Sequence, residues 1–127
     1  MALPVNARVD AAPNFLSNLD SAYQFFIDQD ADTATDRLHK LKTRLLEMIS
    51  ILSWSPASGH VARFMIARSV QARLRAEAVQ KLAAQAGLPN LREYIIGNHV
   101  VLYAHSDVEV VLLALKHQRQ LIYSDES

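Results

Sequence analysis

The sequence predicts an α+β fold, with helices on one face of an antiparallel-dominated sheet. Three observations carry this expectation: two amphipathic helical patterns near the start, a run of three β-patterned segments near the end, and turn residues between those segments. The chain has 127 residues, half of them hydrophobic, with four Pro and three Gly. That is enough apolar material for a packed core in one domain, taken as residues 1–127.

A short first strand is expected over Val5–Val9, with Val5, Ala7 and Val9 on one side and Asn6 and Arg8 on the other. Pro13 or Asn14 then opens a helix whose apolar face is Phe15, Leu19, Tyr23 and Phe26 or Ile27, stopping near Asp28. The acidic break Asp28–Asp32 supplies caps for a second helix. In it Leu38, Leu41, Leu45, Met48 and Leu52 repeat at helical spacing, while Arg37, Lys40, Lys42 and Arg44 stay outside. The two helices read as an antiparallel hairpin. Pro56 and Gly59 punctuate a loop over Ser53–His60, and Trp54 is expected to pack between the hairpin and that loop.

A third helical pattern runs from about Ile66 to Ala86, with Gly87 as its C-terminal cap. Three extended segments follow: Leu91–Ile96, His99–His105 and Val108–Lys116, joined at Gly97-Asn98 and Ser106-Asp107. Val110, Leu112 and Ala114 alternate with Val111, Leu113 and Leu115. The last strand is thus apolar on both faces and belongs inside the sheet. It ends near Lys116, with His117 and Arg119 leading out toward solvent. The sum is a four-strand sheet packed against an N-terminal helical hairpin, with an additional helix before a C-terminal three-strand meander.

Charge and composition narrow the function classes. Lys plus Arg and Asp plus Glu balance at 13 each, so a field that gathers nucleic acid over the whole molecule is not expected. Residues 1–60 carry seven acids and five bases, the remainder six and eight. Without cysteine there is no disulfide or thiol chemistry. The opening MALPVNARVD lacks the apolar core of a secretion signal, and no run is long enough to span a bilayer, so a cytoplasmic protein with no membrane partner is expected. The glycines fall in three separate turns at 59, 87 and 97, which leaves no phosphate-cradling loop. The five histidines lack ligand spacing; even His99 and His105, on one strand face, stand roughly 20 Å apart. No metal and no cofactor are expected. The arginines of the third helix, Arg63, Arg68, Arg73 and Arg75, fan around it without forming a stripe.

The order of strand, helical pair and Pro-x-x-Gly loop, followed by LREYIIGNHVVLYAHSDVEVVLLALKHQRQLIY, resembles the RelE/ParE superfamily of bacterial type II toxin–antitoxin toxins. Leu91-Arg92 opening one strand, Val101-Leu102-Tyr103 in the next and His117-x-Arg119 after the last carry the likeness. The segment Met65–Ala86 is longer than the connection many members have there, and His60 follows Gly59 where the family commonly has Arg.

The resemblance implies one of two activities. RelE-like members cleave messenger RNA in the ribosome; ParE-like members inhibit DNA gyrase without hydrolytic machinery, a role tied to plasmid stabilisation. For RNA cleavage, His117 and Tyr123 would be the acid–base pair, with Arg92 and Arg119 on the phosphate. The neutral charge and thin basic cluster favour the ParE-like reading. A cognate antitoxin is the implied partner, for which Arg63, Arg92, Lys116, His117 and Arg119 are the expected contacts, and self-association is compatible with the sequence. A third class is a non-toxic, stand-alone binding or assembly domain.

Overall fold

The structure is a computed structural model that describes residues 6–61, 87, 88 and 90–117. Val5, the segment expected as a third helix, Arg63, Arg119 and Tyr123 lie outside the described residues.

The chain begins with β1 (Arg8–Ala11), followed by α1 (Pro13–Gln29) and α2 (Ala31–Trp54). Pro13 sits in the first turn of α1, where its missing N–H costs nothing. A single residue, Asp30, joins the helices. Its extended backbone donates to Phe26 O and ends α1, while its carboxylate accepts from Asp32 N and opens α2. A one-residue hinge leaves the helices little choice but to fold back on each other.

After α2 a 3-10 turn (Pro56–Ser58) leads to β2 (His60–Val61), and the meander is β3 (Asn90–Ile96), β4 (His99–His105) and β5 (Glu109–His117). The strand order is β1-β5-β4-β3-β2, parallel at β1–β5 and antiparallel elsewhere. The four expected strands are present, and the two-residue β2 adds a fifth from what had read as loop. The first strand lies at Arg8–Ala11 instead of Val5–Val9, because its extent is set by pairing with Glu109–Leu112 and not by its own alternation. Gly97 takes a positive φ of 54° at the first position of the β3–β4 turn, a backbone that glycine adopts without penalty.

As expected, β5 is flanked by β1 and β4 and buried on both faces. On the helix side, Val101, Tyr103, Val110, Leu112 and Leu115 meet Phe15, Phe26, Leu41, Leu45, Met48 and Leu52. On the other side Leu102, Ala104, Leu113 and Ala114 cluster with Leu88.

The expected alternation along β5 holds only to Leu113. Leu102 is opposite Ala114 while Tyr103 is opposite Leu112, so Leu113 is an extra residue, a β-bulge. Leu113 and Ala114 consequently share one face, and Leu115 returns to the helix side. At this level β1 has ended, and α1 takes over its hydrogen-bonding role. Ala12 N donates to Leu112 O, Asn14 Nδ2 donates to Leu113 O at 2.9 Å, and Asn18 Oδ1 accepts from Leu115 N at 3.0 Å. Two asparagines one helical turn apart stand in for a missing strand edge.

Trp54 is 62% exposed and does not fill the space between hairpin and loop. It follows Leu52 by two residues, about 200° around the helix, which turns it away from the buried face. No described helix is long and apolar enough to cross a membrane.

Candidate functional site

Polar side chains gather at two ends of the helix-side sheet face. At the β2 end, Tyr103 Oη donates to Pro56 O at 2.7 Å and accepts from Gly59 N at 2.9 Å. Arg92 Nη1 donates to Gly59 O at 2.9 Å, and Arg92 Nε donates to His105 Nε2 at 3.1 Å. Because arginine only donates, His105 Nε2 must be the bare nitrogen and Nδ1 the protonated one, placed 3.0 Å from Ser106 O. Burial pushes the Tyr103 phenol above its usual range, against the opposing pull of its bond from Gly59 and of Arg92. This network fastens the Pro56–Gly59 loop onto β3 and β4. Gly59 is needed for closeness: a Cβ there would lie 2.5 Å from Glu93 O and 2.7 Å from Tyr103 Oη.

At the opposite end, His99 and His117 are direct cross-strand partners of β4 and β5. Their rings stand edge to face with centroids 5.3 Å apart. His99 also meets the edge of Phe26 at 6.0 Å, and His117 lies 6.3 Å from Phe25. Arg37 of α2 stacks over Phe26, its Cζ 4.2 Å from the ring centre, and is held by an Nη1 bond of 2.8 Å to Gln29 Oε1. Burial, then the charges of His117 and Arg37, lower the His99 pKa from 6.5 to about 4, so its imidazole is neutral at pH 7.

Of the sequence-derived site residues, Lys116 and His117 are half-buried on β5 and Arg92 is half-buried on β3. His117 does not lead out to solvent: it is the last residue of the strand, because the bulge carries pairing one residue further than a regular ladder would. Arg92 and His117 are not brought together. Their β4 partners, Tyr103 and His99, are four residues apart, which is about 13 Å along a strand. His99 and Arg37 were not singled out as site residues from the sequence. A regular ladder would set Lys116 opposite His99, so the sequence carried no signal for the His99–His117 pair.

A groove of about 520 Å³ runs between α2 and the β3–β4 hairpin, lined by Lys40, Arg44, Glu47, Met48, Tyr94 and Ile96 among others. Beyond Arg92 and Glu93, which pair with β2, the outer edge of β3 borders this groove.

Among solved structures, a chain of the chromosomal ParDE TA system from P. aeruginosa matches with a TM-score of 0.56. The fold is RelE/ParE-like. The match covers 88% of this chain and 96% of that one at 9% sequence identity, so the RelE/ParE-like layout of helical hairpin and sheet is shared almost end to end while the side chains are not. No protein-family model matches the sequence, and no curated protein does.

Proposed function

We propose that this chain is the toxin component of a type II toxin–antitoxin module, ParE-like in action, inhibiting DNA gyrase and neutralised by a cognate antitoxin. The observation that carries the reading is the extent of the shared fold, which reaches 96% of a chain from a ParDE system. Two features of this chain agree with it. The formal net charge is zero, whereas an enzyme working on ribosomal RNA gains from a basic surface. Arg92, which an RNA-cleaving member would place on the phosphate, is engaged with His105 and Gly59 O.

The antitoxin is assigned to the groove between α2 and the β3–β4 hairpin, as an extended segment lying along its length. Arg63, Arg92, Lys116, His117 and Arg119 are proposed as further contacts. A supercoiling assay with purified gyrase tests the reading: inhibition relieved by the product of an adjacent gene is expected. Codon-linked cuts on translating ribosomes, lost in His117→Ala, would replace it with a RelE-like endoribonuclease. Binding of the adjacent product with neither effect would favour a non-toxic assembly domain.

A further inference from the structure

The groove between α2 and the β3–β4 hairpin is chemically uneven along its length. Its floor is apolar: Met48 and Ile96 are buried and Tyr94 is half-buried, with Ile51, 44% exposed, at the far end. At the near end, beside the β3–β4 turn, Arg44 reaches across from α2 and lies against Gly97, its Nη1 only 3.2 Å from where a Cβ on that residue would stand. A side chain at position 97 would crowd the guanidinium. Lys40, one turn earlier on α2, is paired with Asp36 at 3.3 Å, whereas Arg44 has no ion pair among the described residues. Glu47, which also lines the groove, stands one turn further along without reaching it. Arg44 is exposed, so water satisfies its donors in the free chain.

We propose that the groove takes an extended peptide segment with a carboxylate for Arg44 and, about three residues away, an apolar side chain for the Ile51 end. The proposal rests on the reading of this groove as the seat of the antitoxin, and names the chemistry by which that partner is chosen. A segment lying along the groove strips water from Arg44, and a guanidinium buried without a partner is strongly unfavourable, so the occupant must bring its own acid. The planar guanidinium beside Gly97 offers a carboxylate two parallel bonds. Glu47 repels an acid placed mid-groove, which confines the carboxylate to the Gly97 end and so sets the direction of the segment. The spacing follows from the helix. Arg44 and Ile51 are seven residues apart on α2, which is about 10 Å along its axis, or about three residues of extended chain. The apolar residue then covers the exposed surface of Ile51 beside Tyr94.

Calorimetric titration of the full chain with the product of an adjacent gene, at low and at high salt, tests it. Arg44→Glu, a change at an exposed position, should weaken binding by more than about tenfold at low salt and leave the urea midpoint little changed. Ile51→Asp should weaken it by a similar factor. Exchanging the segment's acid for lysine should weaken binding to the wild-type chain and restore it to the Arg44→Glu variant, a rescue that a merely structural role for Arg44 does not give. Binding unchanged in Arg44→Glu would overturn the proposal while leaving the toxin reading intact, since relief of gyrase inhibition would persist. Failure of the adjacent product to bind the wild-type chain would overturn the toxin reading and this inference with it. Self-association of the chain alone, lost in Ile51→Asp, would give the groove to a second copy and overturn the proposal as well.

Discussion

Replacing Asn18 by Leu should weaken the fold by about 1–3 kcal/mol, because it removes the acceptor for a buried backbone donor. Asn18 is 6% exposed, and its Oδ1 receives the Leu115 N–H at 3.0 Å, at a level where β1 no longer pairs with β5. Leucine has nearly the same volume, so a void does not dominate the loss. What remains is an amide sealed among Phe15, Leu112 and their neighbours with no oxygen in reach. Asn14→Ala should cost less, about 0.5–1.5 kcal/mol, since its contact with Leu113 O is only part-buried and a carbonyl left open there can take water. Urea denaturation gives both values, and amide exchange at Leu115 reports the bond itself. A loss below about 0.5 kcal/mol in Asn18→Leu, with Leu115 exchange unchanged, would refute the reasoning that α1 completes the strand edge.

Gly59→Ala should destabilise by about 1–3 kcal/mol, because the new Cβ meets a backbone oxygen and the ring of Tyr103, neither free to retreat; the urea midpoint measures it. Leu112→Ala, at 2% exposure, should cost about 2–5 kcal/mol through lost transfer energy and a cavity, read in the same assay. The His99 pKa is lowered on folding, so the unfolded chain takes up the proton first. Its contribution to stability is complete above about pH 6.5 and is lost as pH falls toward about 4. The difference in urea midpoint between wild type and His99→Phe should therefore narrow or reverse over that window; a constant difference would show that His99 does not titrate as argued.

The helix hairpin was legible because its signals are local. Of the five residues named by the apolar spacing of α2, Leu41, Leu45, Met48 and Leu52 are buried and Leu38 is half-buried, and Asp30 marks the break by the chemistry of capping. The central position of β5 followed from an apolar character on both faces. That same uniformity hid the bulge: from Val110 to Leu115 every residue is apolar, so no polar side chain marks where the strand changes face. The partnership of His99 with His117 depends on that one-residue shift, and was therefore out of reach. Asn14 and Asn18 gave a clue in their spacing of four, with Asn18 on the stripe of Phe15 and Ala22, but an asparagine among apolar neighbours has meaning only once its backbone partner is known. Arg92 read as an accessible cation, since nothing in sequence places Gly59 and His105 beside it.

The parallel pairing of β1 with β5 joins residues about a hundred positions apart, Arg8 with Glu109 and Ala11 with Leu112. On the ribosome, the helical hairpin emerges before the sheet surface that covers its apolar face. Until β5 is synthesised, Phe15, Phe26, Leu45 and Leu52 lack Val110, Leu112 and Leu115, and β1 has no strand to join. Assembly of the core thus waits on a long loop closure, and until then the chain has an exposed apolar helix pair and a loose strand. A partner able to shield that pair during synthesis would act on folding as well as on the finished surface.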